Sequence, residues 1–342
     1  MTRLSKTLTG FMAGGIGLAL AVSAAQAQNF FQGKTVTILV AGTAGGGLDV
    51  SAKIIARHFS KFIPGQPTVV AQVMPGAGGI RAIDHLNSAA PQDGTSLVIL
   101  PPGPMLEPLI GARKMNYRIV DFPAIGAVSK ESSLCAAWHT SKFTTLDDAR
   151  KTEMMVSGTG AGSSTDIYPV VMNEVLGTKF KVITGFQGSQ ESSLAIERGE
   201  VDGRCGWGWT SIKSTSLDWI RDKKLRFLMQ FGLTKNPELP DVPLAIDLAA
   251  KQEDKQILRV LFVPLMLNKP LFTAPRTPPE RVAELRTSFA RMMADQPFRD
   301  EVLKISGEEP NETGGEDAQR LLDEVYRTPE PVVARLKKIL NP

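Results

Sequence analysis

The sequence predicts an α/β protein built as two lobes with a cleft between them. Three observations lead there. A strand, a glycine-rich turn and a helix follow one another at residues 36–62, and the same succession returns at residues 154–176. The first hundred residues after an N-terminal leader read β-α-β-α-β, which calls for a parallel sheet with helices on its faces. Beyond a proline-rich link at residues 236–243 the chain is mostly helical, a return segment after two α/β units.

In the first unit, residues 36–40 are a short apolar run bounded by turn residues, a buried strand. Gly42-Thr43-Ala44-Gly45-Gly46-Gly47-Leu48-Asp49 follows. From there Val50, Ile54, Ile55, Phe59 and Phe62 recur at helical spacing. A tight turn needs one glycine for positive φ. Three in a row leave backbone N–H groups uncovered at a helix N-terminus, where the dipole adds to them and makes an anion site. Gly42 and Gly47 have the spacing of a Walker motif, but Leu48-Asp49 stand where Lys-Ser/Thr is required. A carboxylate at Asp49 would repel a polyphosphate. A small mono- or dicarboxylate fits better, with Asp49 capping its helix rather than facing the ligand.

Thr68–Val73 reads as the second strand and ends in Met74-Pro75-Gly76-Ala77-Gly78-Gly79, with Ile80, Ile83 and Leu86 starting a helix. Residues 95–100 form a third strand that runs into Pro101-Pro102-Gly103-Pro104. In such sheets ligands sit beyond the carboxyl ends of the strands, so these three loops share one edge. Residues 125–128 and 134–138 are strands leading into a new region. Thr145-Leu146-Asp147-Asp148 resembles a capping box. The strand at 154–156 is followed by a second glycine- and serine-rich loop over 157–166 and a helix from about 166 to 176. GxGxxG is absent, so no dinucleotide fingerprint is present. Phe180–Thr184 is a strand leading to Gly185-Phe186-Gln187-Gly188. A helix over 191–197 ends at Arg198-Gly199, a C-cap signal. Residues 201–210 hold two of the four tryptophans, Trp207 and Trp209, separated by glycines. They are either core packing or the wall of a ligand cleft. Residues 225–232 form a strand, and helices begin at Pro278-Pro279, near Gly315 and near Pro329.

The first 27 residues are an export leader: Arg3 and Lys6, an apolar run over 11–22, and Ala25-Gln26-Ala27 as the cleavage site. The exported chain should start near Gln28. The leader holds two of the 39 basic residues and none of the 35 acidic ones, so the remainder is close to neutral. Neither nucleic acid nor a membrane surface is indicated as a partner, and no later segment is apolar enough to span a bilayer. In an exported chain the isolated pair Cys135 and Cys205 reads as a disulfide rather than two buried thiols. Catalytic constellations are missing: there is no G-x-S-x-G elbow, and His58, His85 and His139 fit no metal-ligand spacing. His58 and His85 fall in helices as solvated residues. No cofactor is called for.

Taken in order, these motifs resemble the periplasmic solute receptors of the tripartite tricarboxylate transporters, the "Bordetella uptake gene" family, over nearly the whole exported chain. The family's FPAGGGTD loop is matched by residues 42–49, its NRPGAGG by 73–79 and its PDGYTL by 92–97. Its GNGTSSH is matched by 160–166, its YKG by 186–188 and its LPDVPT by 239–244. The resemblance implies a type II periplasmic binding protein, a Venus flytrap of two mainly parallel sheets flanked by helices. Residues 28–126 and 237–342 would form one lobe and 127–236 the other. It implies a monomeric receptor that hands a small organic carboxylate to membrane transporter subunits. The rival readings are a receptor reporting to a membrane sensor kinase and an exported hydrolase.

The resemblance also implies that the ligand carboxylate sits on main-chain N–H groups. The expected binding set is Thr43, Ala44, Gly45, Gly46 and Asp49, then Pro102 and Gly103, then Gly162, Ser163, Ser164, Thr165 and Asp166, with Gln187 and Gly188. Trp207 or Trp209 would add an apolar wall. The chain departs from the family at Gly203–Gly208, and Asp166 stands where a His is common, so ligand identity does not carry over. Arg204, the one nearby cation, is expected to be a structural ion-pair residue.

Overall fold

β1 (Thr35–Val40), β2 (Thr68–Val73) and β3 (Ser96–Ile99) pair in parallel, with β1 in the middle and Ile38 in register with Ala71 and Leu97. The computed structural model describes residues 30–111, 114–160, 163–186, 189–307 and 309–340; the leader and its cleavage site lie outside them. All four residues of β3 are buried, so the strand shows a continuous apolar run rather than alternation. The crossovers are α1 (Gly47–Phe59) and α2 (Ile80–Ser88), and α3 (Gly103–Ile110) follows β3.

The first sheet is completed by three strands that run the other way or return from elsewhere. Its order is β11-β4-β10-β3-β1-β2, with β4 at Ala124–Ser129, β10 at Asn268–Thr273 and β11 at Thr313–Gly314. β10 lies antiparallel between β3 and β4. The sequence reading missed it because Pro270 argues against a central strand. The second sheet has the order β7-β6-β8-β5-β9, from β5 (Ser133–Trp138), β6 (Met154–Gly158), β7 (Phe180–Thr184), β8 (Gly203–Gly208) and β9 (Leu225–Phe231). β6 pairs in parallel with β7 and β8, while β5 is antiparallel to β8 and β9. Both sheets are therefore mixed. The parallel pairs come from βαβ units, and the antiparallel ones from strands beside the crossings between the sheets. All of β4 belongs to the first sheet, so the first crossing is residues 130–132, beyond the boundary expected at 126.

The helices sort by the face they cover. α11 (Pro279–Met293) and α12 (Gln296–Ser306) pack with α1 on the first sheet, where Phe289, Phe298 and Val302 meet Ile54 and Phe59. α13 (Gly315–Tyr326) lies along β4. α14 (Glu330–Leu340) instead reaches α5 (Ser164–Leu176) of the second unit, beside α10 (Gln252–Met266). The C-terminal return is thus shared between the units. One apolar cluster runs through both, from Leu39 and Val98 by way of Phe262 and Leu336 to Val156 and Phe231.

Candidate ligand-binding cleft

The first loop is tied by its own carboxylate. Gly46 is the N-cap of α1, Gly45 has φ of 75°, and Asp49, three residues after the cap, accepts hydrogen bonds from Gly45 N at 2.7 Å and Lys53 Nζ at 2.8 Å. The Lys53 bond, helped by the Gly45 N–H, holds the Asp49 carboxyl below its usual range against the cost of burial. Thr43 O accepts from Gly46 N at 3.2 Å. The first-turn N–H groups beyond the cap, at Gly47 and Leu48, have no intrahelical acceptor. The three loops of this sheet meet: a Cβ on Gly79 would lie within 3.2 Å of Ala41, Pro101 and Pro104. Pro102 is the N-cap of α3 and Gly103 its first residue.

The second loop repeats the device. Ser163 is the N-cap of α5, and Asp166, again three residues on, accepts from Gly160 N at 3.0 Å and Ser163 Oγ at 2.6 Å. Burial works against ionisation of Asp166, but the bonds from Ser163, Gly160, Thr184 and Thr165 prevail and its pKa is lowered. The hydroxyls expected to meet a ligand already have partners within the protein. Thr165 Oγ1 accepts from Thr159 N at 3.0 Å and lies 2.8 Å from Ser163 Oγ, and Ser164 Oγ donates to Gly206 O at 2.9 Å. Gly162, Gln187 and Gly188 lie outside the described residues.

Trp207 and Trp209 part company. Trp207 is 1 % exposed, inside a cluster with Trp138, Trp219 and Ile212, so it is core packing and not an exposed wall. Trp209, at the start of α7 (Trp209–Thr215), is buried too but lines the hollow between the sheets. Arg204 is not an ion-pair residue among the described residues. Its guanidinium lies 5.2 Å from the Trp207 ring centroid, and its Nε and Nη1 have no hydrogen-bond partner. Cys135 and Cys205, on the neighbouring strands β5 and β8, are disulfide-bonded. His58 is half-buried rather than solvated, with Nε2 2.7 Å from Glu301 Oε2, which ties α1 to α12. Among the described residues no group of His, Cys, Asp and Glu could hold a metal ion, and no helix is long and apolar enough to cross a membrane.

A hollow of about 890 Å³ sits at the crossings between the sheets. The first unit contributes Val128, Ser129 and the end of α12; the second contributes Trp209, Thr210, Ser211, Lys213 and Ser214 of α7, with Gly232 and residues 234–238. A second hollow of about 270 Å³ shares Val128, Lys269, Val302 and Ser306 with it and reaches Gly45 and Gly47 of the first loop. The larger one is lined by Lys130, Lys213, Lys235 and Lys269 against Glu131, Glu238 and Glu309, so its balance favours an anion. Of the residues expected from sequence, Gly45 and Trp209 line these hollows. The crossing residues and Lys269 were not anticipated. The available signal was weak: Lys269 is a non-glycine residue with φ of 56°, which sequence does not announce. Glu131 fixes the crossing in place, donating its N–H to Leu265 O and accepting on Oε1 from Ser132 N.

Two α/β units, each a mixed sheet flanked by helices, joined through a hollow at their crossings, define a two-lobe solute-binding receptor. A protein from Polaromonas, solved as a TctC solute-binding protein without ligand, superposes with a TM-score of 0.69 at 20 % identity, covering 90 % of this chain and 98 % of its own. An R. palustris protein solved with adipate gives 0.59 at 19 % identity over 89 % and 97 %. In sequence, a UPF0065 protein of Cupriavidus necator is 26 % identical over 305 residues, 86 % of this chain and 84 % of the relative. The chain belongs to the tripartite tricarboxylate transporter receptor family, TctC, whose model matches residues 52–337. Family and fold are those of solute-binding receptors, not of enzymes.

Proposed function

We propose that this protein is exported to the periplasm, captures a small organic carboxylate between its two lobes as a monomer, and delivers it to a tripartite tricarboxylate-type membrane transporter. The observation that carries the reading is the lysine-rich hollow at the crossings, reached by Gly45 and Gly47 at the N-terminus of α1. Family membership supports the transporter as partner, and adipate on a protein of the same fold supports the ligand class. A helix N-terminus contributes on the order of 0.3–1 kcal/mol to an anion, while micromolar binding needs about −8 kcal/mol. Charge-assisted hydrogen bonds and water exclusion on lobe closure supply the rest.

A thermal-shift panel of organic acids tests the reading. At a hundredfold excess over Kd the true ligand stabilises by about 2.7 kcal/mol, roughly a 4 °C rise for a chain of this size. In Gly46→Val the added Cβ crowds Thr43 O at 3.2 Å; the variant should keep the fold and lose affinity. Turnover of any acid into product would instead make the protein an enzyme.

A further inference from the structure

The smaller hollow differs in chemistry from the larger one beside it. It lies between the loop-side ends of α1 and α12, against Val50, Ile54 and Ile55 of the first helix and Phe298, Val302 and Ile305 of the second. The spacings 50/54 and 298/302/305 put these side chains on one stripe of each helix. Two hydroxyls, Ser51 and Ser306, and Lys269, which also lines the larger hollow, are its only polar side chains among the described residues. At the far end of α1, His58 Nε2 lies 2.7 Å from Glu301 Oε2, and Lys61, just beyond the helix, pairs with Asp295 at 2.8 Å. The helices are thus held together there, away from the hollow. Ile305 is 48 % exposed although it lines an apolar space. Gly47 begins α1, and packing does not demand glycine: nothing lies within 4 Å of a Cβ placed on it. The absent side chain leaves the hollow open toward the first loop.

Charge sets what can enter. The larger hollow has four lysines, Lys130, Lys213, Lys235 and Lys269, against three glutamates, Glu131, Glu238 and Glu309, a surplus of one positive charge. One carboxylate balances it. A second carboxylate reaching into the smaller hollow would meet no cation there beyond Lys269 among the described residues, and burying an unpaired charge among aliphatic side chains is costly. An apolar cavity of about 150 Å³ takes a benzene ring. The hollow of about 270 Å³ therefore has room for a phenyl ring or a chain of about six carbons. We propose that it seats the apolar tail of a monocarboxylate, whose head stays with Lys269 and the first-turn N–H groups of α1 while an alkyl or aryl tail lies between α1 and α12. The inference rests on the carboxylate-receptor reading above and names its ligand class.

Calorimetry on the purified protein with butyrate, hexanoate, adipate and hexanol tests it. Each methylene moved from water into the hollow should tighten binding about fourfold, so hexanoate should bind about tenfold or more tighter than butyrate. Adipate, of the same length, should bind more weakly than hexanoate, and so should hexanol, which lacks the charged head. Val50→Phe fills the hollow from a half-buried position; it should erase most of the gain from butyrate to hexanoate and leave butyrate affinity within about twofold of wild type. Ile305→Asn, at an exposed position where the fold has little to lose, should reduce the same gain several-fold. Equal binding of butyrate and hexanoate, or adipate binding at least as tightly as hexanoate, overturns the tail site and leaves the receptor reading intact. A chain-length gain that survives in both variants also overturns the tail site. So does hexanol binding as tightly as hexanoate, because the hollow is then an apolar site independent of any carboxylate. Binding of no acid, in this set or in a wider panel of diacids and hydroxy acids, overturns both readings.

Discussion

Asp49 and Asp166 stand at the same position of their helices and perform the same task, each returning to a glycine N–H of the loop before it. Both carboxyls titrate below their usual value. A group with a depressed folded pKa contributes stability that is fully present above the unfolded value, about 3.9. That stability is lost as pH falls through the folded one. The latches therefore stay closed over the whole range from neutral down to about pH 4. We expect the double variant Asp49→Asn/Asp166→Asn to show a flatter stability profile than wild type between about pH 4 and 2, read by urea unfolding at each pH. Identical slopes would remove the aspartates from this role. That Asp49 turns back on its own loop rather than facing a ligand was legible from its place after the glycines, although it bonds Gly45 N–H ahead of the N-cap Gly46 instead of capping the helix. The matching latch by Asp166 was not, because a carboxylate in a serine-rich loop looks equally like a ligand group until its partners, Gly160 N–H and the Ser163 hydroxyl, are seen. Ser164 makes the same point: its hydroxyl belongs to Gly206 O, so Ser164→Ala should cost about 1 kcal/mol of stability.

At the scale of elements, the bulge in β8 organises the second lobe. Gly206 has φ of 70°, and a Cβ there would stand 2.3 Å from Ser164 O and 2.8 Å from Thr165 N. Gly206→Ala should therefore destabilise by at least about 2 kcal/mol, from left-handed strain plus displacement of the α5 N-terminus; chemical denaturation reads it directly. The adjacent Cys135–Cys205 bridge spans a sequence separation of 70. In the chain-entropy model its reduction should cost about 4 kcal/mol, measured by unfolding with and without reductant. The βαβ halves were legible in the sequence because their strands and helices carry clean periodicities and end in glycine loops. β10 and α10 were not. β10 contains a proline and is defined by its neighbours β3 and β4, distant in sequence, and α10 reads as one more apolar stretch until both lobes pack against it. Trp207 and Arg204 were ambiguous for a related reason: the bulge, invisible in sequence, decides which face each one occupies.

Across the whole molecule, the continuous core argues that the lobes unfold together. Phe262 on α10 is fully buried, its ring centroid 5.4 Å from that of Tyr168 of α5 in an edge-to-face contact and 5.7 Å from that of Phe231 of β9, while its own helix packs against α13 and α14. Leu336 of α14 is equally buried in the same cluster. Two lobes linked only by two thin crossings would melt independently; here the loss of either one exposes apolar surface of the other. We expect wild type to show one cooperative thermal transition, with equal midpoints by tryptophan fluorescence and far-ultraviolet circular dichroism. The fluorescence reports only the second lobe, since all four tryptophans, Trp138, Trp207, Trp209 and Trp219, lie between residues 138 and 219. Phe262→Ala removes the keystone at a cost of about 3–5 kcal/mol. It should also separate the two midpoints, because it weakens the joint more than either sheet. Two resolved transitions already present in wild type would show that the shared cluster does not couple the lobes.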